Sequence, residues 1–169
     1  MKSSKTSFLL PLALLFGAAL PVCAQQALPE IVVQSARYKY LNSVDGKELA
    51  QPVKRLESKA AEFDVRNSEF YEEDHDTYFI SFYLPEGTLL ATYDSSGKLM
   101  QTAEKYKNIA LPSPVSMAVS SRYPNWTIAK DVYLVNYVAD QGAGKVYKLK
   151  LQNGNKRMKV RVNDKGEFL

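Results

Sequence analysis

The side chains that most often perform catalysis are scarce in this chain. Its 169 residues include one cysteine, Cys23, and one histidine, His75. A Cys/His zinc site needs several such ligands, and a cysteine nucleophile needs a histidine beside it as a base. Glycine-rich phosphate loops and the G-x-S-x-G and H-E-x-x-H motifs are also missing. We therefore expect a protein that is not an enzyme and that uses no metal and no cofactor.

The acidic stretch at residues 69–76 is the main group of candidate metal ligands. It lacks the alternating Asp spacing and the distal glutamate that supply oxygen ligands in a calcium loop. No residue near His75 is a suitable nucleophile for it to activate. The stretch is therefore predicted to be a solvated linker, with His75 exposed in it.

Apolar and charged residues alternate near the C-terminus, which predicts a β-hairpin with two different faces. With Asn153-Gly154 as a two-residue loop, Leu149 lies opposite Met158 on the core side. On the other side Lys148 lies opposite Lys159, and Lys150 lies opposite Arg157. That second side carries five cations: Lys148, Lys150, Arg157, Lys159 and Arg161.

This basic face has two interpretations. Like charges placed directly opposite one another destabilise a sheet, so their retention indicates a partner with negative charge. Lysines are also a common means of preventing an exposed strand from aggregating. Both interpretations stay open from the sequence.

An internal repeat relates this hairpin to an earlier part of the chain. Residues 76–100 align with residues 145–169 without a gap, at an offset of 69. Turn residues agree as well as strand residues, which favours a true duplication over chance alternation. The earlier hairpin has an apolar patch where the later one is basic, so Phe79 and Tyr83 are an apolar alternative to the basic face as a binding surface.

The elements that must position these residues are two helices and seven strands. Pro52 and Pro114 each occupy an early helical position, where proline is well tolerated, and apolar residues follow at helical spacing. Alternation and turn signals predict the strands: Ile31–Leu41, Thr77–Tyr83, Thr88–Tyr93, Lys98–Lys105, Thr127–Val138, Lys145–Gln152 and Lys156–Val162. Tyr147, Leu149, Leu151, Met158 and Val160 are expected in the core, together with Tyr78, Ile80 and Phe82.

Residues 1–24 have the pattern of a secretory signal. Lys2 and Lys5 precede an apolar run, Phe8–Leu20, which is too short to cross a bilayer as a permanent helix. Small residues before Gln25 suit cleavage there. We expect a periplasmic or secreted protein with no stable transmembrane segment after cleavage.

Removal of this segment changes the charge of the chain. Loss of Lys2 and Lys5 leaves 20 basic and 18 acidic side chains, a net charge of +2, and leaves no cysteine for a disulfide. A charge this small gives no general attraction to nucleic acid, which is not expected as a partner. The chain that remains is long enough to be held by its core alone.

Four segments follow from these patterns. They are the signal peptide at 1–24, an N-terminal strand and lead-in at 25–46, and two helix-plus-strands repeats at 47–110 and 111–169. The predicted fold class is α+β, a tandem repeat of a helix followed by an antiparallel β-meander.

The chain resembles the PepSY-like family, which is also described as beta-lactamase-inhibitor-like. The resemblance rests on Tyr123-Pro124-Asn125-Trp126 after the second helix and on Tyr147–Leu151 before a hairpin that contains glycine. It implies a tandem helix-plus-four-strand fold like that of a beta-lactamase inhibitor protein, and a small exported protein. Related peptidase-propeptide domains are thought to inhibit or chaperone peptidases. No residue here matches an inhibitor's contact motif.

Two functions remain as the main expectations. The first is a non-catalytic binding protein of the cell envelope, for a protein or peptide, which uses the open sheet faces. The second is recognition of an anionic envelope polysaccharide or lipid headgroup by the basic face. An enzyme of unrecognised type is a weaker third alternative. Binding by the lysines and arginines should weaken with salt, whereas binding by aromatic residues should not.

We expect export with cleavage before Gln25. An alternative is a lipoprotein acylated at Cys23, although Val22 is bulkier than the residue usual before such a cysteine. Intact-mass measurement of the envelope form distinguishes these outcomes. A species that retains Met1, or one that begins at an acylated Cys23, would contradict the prediction.

Overall fold

A computed structural model describes residues 29–169 and shows an α+β fold with three helices and one six-stranded antiparallel sheet. The predicted signal segment, residues 1–24, lies outside the described residues. Within the described residues no helix is long and apolar enough to cross a membrane. The elements are α1 (Pro29–Val44), α2 (Gln51–Glu62), β1 (Thr77–Leu84), β2 (Gly87–Asp94), β3 (Leu99–Lys107), α3 (Ser113–Arg122), β4 (Thr127–Val138), β5 (Gly142–Asn153) and β6 (Lys156–Asn163).

The strands are ordered in the sheet as they are in the chain, from β1 at one edge to β6 at the other. Every neighbouring pair is antiparallel. Tight turns join the strands within each set of three, and α3 lies in the connection from β3 to β4. Six of the seven predicted strands are confirmed, with small differences at their ends.

The remaining prediction, a strand at Ile31–Leu41, is wrong, because this segment lies in helix α1. Consecutive β-branched residues at its start favour a strand on local preference alone. Its buried side chains, however, recur every four residues at Ala36, Tyr40 and Val44, which is helical spacing. Packing on the sheet makes the segment helical. The rings of Tyr40 and Tyr137 pack edge to face, with their centroids 5.0 Å apart.

The core lies between the helices and one face of the sheet. Helix α1 packs over β3, β4 and β5, and helix α2 packs over β1 and β2. The hydroxyl of Tyr93 on β2 donates a hydrogen bond of 2.6 Å to the carbonyl of Ala60 on α2. Val115 and Val119 of α3 are buried in the same core.

The predicted core residues all lie on this covered face. Tyr78, Tyr147, Leu149 and Leu151 are buried. The other four are half-buried and pack against the core: Ile80, Phe82, Met158 and Val160. These four belong to β1 and β6, the edge strands, which have a neighbouring strand on one side only.

The register of the last hairpin differs from the prediction by two residues. The turn is Gly154-Asn155, not Asn153-Gly154, so Leu149 lies opposite Val160 and Lys148 opposite Arg161. Gly154 has a φ of 55°, and a tight hairpin turn of this kind favours glycine at its first central position. A shift of two changes every partner but keeps each side chain on its predicted face.

Two carboxyl groups are buried beneath the helices. Glu104 on β3 accepts hydrogen bonds from the hydroxyls of Tyr40 at 2.9 Å, Thr102 at 2.7 Å and Tyr106 at 2.8 Å. Glu57 on α2 is 3% exposed, and its Oε1 has no protein partner. Burial, reinforced by the nearby Glu104, raises the pKa of Glu57 to about 9. Glu57 therefore remains protonated at neutral pH.

Leu149→Ala should lower the free energy of unfolding by about 2 to 5 kcal/mol, because it removes most of a side chain from a packed core. Lys148→Ala is the matched control, since Lys148 is the next residue and is exposed. Urea unfolding of both variants checks the assignment. Equal losses would contradict the assignment of Leu149 to the core face and Lys148 to the open face, and would mean that the register is wrong.

Stability should fall between pH 5 and pH 9 because of Glu57. Its carboxyl ionises in the unfolded chain near the ordinary pKa of 4.5, but in the folded protein only near 9. Across that interval each pH unit lowers the unfolding free energy by about 1.4 kcal/mol from this group.

Glu57→Gln removes the ionisation and should flatten the decline in chemical unfolding measured from pH 5 to 9. Glu62→Gln, an exposed change on the same helix, should leave the decline as it is. Identical slopes for the wild type and Glu57→Gln would contradict the role given to Glu57.

Candidate functional site on the open face of the sheet

The face of the sheet turned away from the helices is not covered by any element within residues 29–169. We call it the open face. Because side chains alternate along each strand, the residues between the buried positions project from it. Its two ends differ in chemistry, apolar at β1 and β2 and basic from β3 to β6.

The basic part contains all five cations predicted from the sequence and three more. We call this set the basic half. Its members are Lys105 and Lys107 on β3, Lys130 on β4, Lys148 and Lys150 on β5, and Arg157, Lys159 and Arg161 on β6.

Register brings these cations into rows across the strands. Lys148 lies opposite Arg161, and Lys150 lies between Lys130 and Lys159. The expected pairing of Lys148 with Lys159 is therefore corrected, as is that of Lys150 with Arg157, which lies opposite Gln152. Like charges still face one another in each row, so the electrostatic cost predicted from the sequence applies to the corrected pairs.

No carboxylate neutralises the basic half from within its own strands. The open-face positions of β3 to β6 include no Asp or Glu. In the part of the chain that the structure describes, none of the eight cations lies within 4.0 Å of a carboxylate oxygen. The basic half therefore presents a positive potential to solvent.

A shallow groove of about 470 Å³ runs through the basic half. The side chains of Lys130, Lys148, Lys159 and Arg161 line it, and Val132 lies among them. Long lysine and arginine side chains lay their carbon stems along such a surface and keep the charged ends in water. The groove thus combines apolar walls with cationic ends.

Leu134 and Val146 extend the apolar part of this surface. They lie directly opposite one another on β4 and β5, in the row next to Val132. Both are half-buried although no helix covers them. A partner with apolar groups as well as negative charge would satisfy this arrangement.

The apolar end of the open face is separate from the basic half. Phe79 and Tyr83 on β1 are each 69% exposed, and Leu90 on β2 is 41% exposed. Four strand spacings separate β1 from β5, a distance of about 19 Å. The structure therefore does not bring Phe79 and Tyr83 together with the five cations predicted from the sequence. Lys105 on β3 is closer, since it lies in the same row as Tyr83, two strands away.

Sequence reasoning missed Lys105, Lys107 and Lys130. It considered one hairpin, whereas these residues come from β3 and β4, which are next to that hairpin only in the folded sheet. A signal for the first two was present, since Thr102, Glu104 and Tyr106 alternate with them on the covered face. Two polar residues among these three buried positions hid the alternation.

The acidic stretch at residues 69–76 lies just before β1, at the sheet edge opposite β6. His75 is exposed, as predicted, and its Nδ1 lies 3.3 Å from a carboxylate oxygen of Glu72. Among the described residues no three His, Cys, Asp or Glu side chains are placed together so that they could hold a metal ion. Negative and positive charges are thus concentrated at opposite edges of the sheet.

Comparisons with known proteins assign no family. No family model matches the chain, and no curated protein matches it. A solved structure of a DUF2874 family protein from Bacteroides ovatus ATCC 8483 is similar over 85% of this chain and 86% of that chain. Its sequence identity is 15% and its TM-score is 0.35, so the similarity supports no statement about function.

Proposed function

We propose that this is an exported, non-catalytic binding protein of the cell envelope, whose basic half binds an acidic segment of a protein or peptide. The observation that carries this proposal is the set of eight cations on one open face, with no Asp or Glu at the other open-face positions of β3 to β6. A surface kept in this state incurs a repulsive cost in the free protein. A negatively charged partner removes that cost on binding.

The apolar residues within the basic half favour a peptide over a polysaccharide. Val132 lies in the groove, and Leu134 and Val146 lie beside it. An extended peptide can carry carboxylates and apolar side chains on the same face, at every second position, so it matches both features. An anionic polysaccharide or a lipid headgroup is the second candidate, because the density of cations alone would suffice for it.

Charge separation across the sheet supports directed encounter. The acidic stretch lies at the β1 edge and the cations lie toward the β6 edge. An acidic partner is attracted to one end of the open face and repelled from the other, which orients it before contact.

Two features support the proposed duplication. At the offset of 69, β1 and β2 fall on β5 and β6, and the Tyr93–Leu99 pair falls on the Val162–Phe168 bridge. Residues 63–76, between α2 and β1, form no strand that would correspond to β4. The PepSY-like, beta-lactamase-inhibitor-like assignment remains part of this proposal. It implies use of the open sheet face to bind another protein, although each half here has three strands where that family has four.

Charge reversal in the basic half should weaken binding. We expect Lys148→Glu/Lys159→Glu to reduce affinity at least about tenfold for a labelled ten-residue peptide with the repeat Glu-Glu-Leu-Leu, which carries both residue types on each face when extended. Lys39→Glu/Lys59→Glu, exposed lysines on the helix side, makes the same change in net charge and should alter affinity less than about threefold. Fluorescence anisotropy at several salt concentrations gives both values.

Three outcomes decide between the candidates. Unchanged peptide affinity in a folded Lys148→Glu/Lys159→Glu protein would remove the basic half from the function. Val132→Thr should weaken binding of the peptide but not of polygalacturonate or of vesicles that contain phosphatidylglycerol. Binding of these two probes without binding of the peptide would favour the second candidate.

Capture from envelope extract, compared between the two double variants, then identifies the natural partner.

A further inference from the structure

Strand β1 has one side without a backbone partner. It pairs with β2, and no other backbone hydrogen bond reaches Thr77–Leu84 within the described residues. A two-residue turn makes Leu84 and Gly87 a hydrogen-bonded pair, and such pairs then alternate along the hairpin. The N–H and C=O groups of Phe79, Ser81 and Tyr83 therefore point outward from the edge of the sheet.

This edge lacks the features that usually prevent strands from joining. Its eight residues include no charged side chain and no proline, and its pairing with β2 has no bulge. Apolar side chains lie on both of its faces, with Phe79 and Tyr83 exposed on one and Ile80 and Phe82 half-buried on the other. An edge of this kind is a template for another strand.

The opposite edge of the sheet is protected. Arg157, Lys159 and Arg161 place three cations along β6. The C-terminal residues also fold back on this strand, where the N–H of Leu169 donates a hydrogen bond of 2.9 Å to the carbonyl of Arg161. One edge is therefore blocked by charge and by the chain itself, and the other is open.

We infer that β1 pairs antiparallel with β1 of a second copy of this chain, about a two-fold axis at Ser81. In this register Ser81 lies opposite Ser81 of the second copy, and Phe79 lies opposite Tyr83 of the second copy. On the covered side Ile80 meets Phe82 of the second copy. Every apolar residue then faces an apolar residue, and about six backbone hydrogen bonds form across the axis.

The charge distribution selects a second copy through this edge. Joining through β1 places the two basic halves at the far ends of the combined sheet and merges the two apolar patches at its centre. The acidic stretch of each copy precedes Thr77, so it lies beyond the paired residues, toward the β1–β2 turn of the second copy. Joining through β6 would bring Arg157, Lys159 and Arg161 against the same residues of the second copy. A two-fold contact also closes on itself, so it yields a dimer and not a filament.

The dimer is independent of the proposed binding function, because the basic half begins two strands away from β1. Sedimentation velocity of the full chain should show a dimer that dissociates on dilution. Phe79→Lys/Tyr83→Lys should raise the dissociation constant at least about 30-fold, since it places cations against cations across the axis. Both side chains are exposed in one copy, so folding should be retained.

The matched control adds the same charge away from the edge. Gln101 and Asn136 are exposed on β3 and β4 of the open face, and Gln101→Lys/Asn136→Lys should leave the dimer intact. A wild-type chain that is monomeric at all concentrations would overturn the proposal. So would a Phe79→Lys/Tyr83→Lys protein that dimerises as the wild type does, or an open-ended series of larger species.

A cross-linking experiment tests the register. With Cys23→Ser as background, Ser81→Cys gives one thiol per chain, about 5.5 Å in Cα distance from its counterpart across the axis, which suits a disulfide. Thr88→Cys is the control, because Thr88 is exposed on β2, one strand inside the edge. Mild oxidation should cross-link Ser81→Cys much faster than Thr88→Cys. Equal rates would overturn the register.

Discussion

The alternation of side chains along six antiparallel strands, with helices on one face, is the constraint on which the rest of the structure depends. It divides each strand into buried and exposed positions, so aromatic and aliphatic residues such as Tyr133 and Leu149 pack beneath the helices. The lysines between them must project to the other side. The basic half is thus a consequence of covering one face only.

This constraint explains how much of the protein could be predicted from its sequence. The strands and the faces of β5 and β6 followed from alternation, and a two-residue error in the hairpin register left them intact. Helix α1 was missed because its start favours a strand locally, and its helical face becomes evident only through packing. Lys130 was missed because its neighbours in space are distant in the chain.

The buried carboxyl of Glu104 shows a limit of a different kind. An acidic residue followed by Lys105 and Lys107 would be expected to lie exposed in a solvated strand, yet Glu104 is 3% exposed. Its three hydrogen-bond donors come from α1 and from β3 itself. Glu104 also lies near enough to Glu57 on α2 to add to the effect of burial, which raises the pKa of Glu57. Displacing α1 along the sheet would break the hydrogen bond from Tyr40 to Glu104, and displacing α2 would break the one from Tyr93 to Ala60. These two bonds therefore help to fix the positions of α1 and α2, which close one face and leave the other open.

The two edges of the sheet complete the argument about function. A sheet with one uncovered face needs some means of preventing uncontrolled association, and here β6 has both cations and a returning C-terminus. β1 has neither, and its exposed aromatic residues lie about 19 Å from the cations of β5. Self-association at one edge and capture of an acidic partner near the other can therefore occur on the same open face without competing for the same residues. In a symmetric dimer the two basic halves are held far apart but face the same side, so an extended acidic partner, or two copies of one, can engage both.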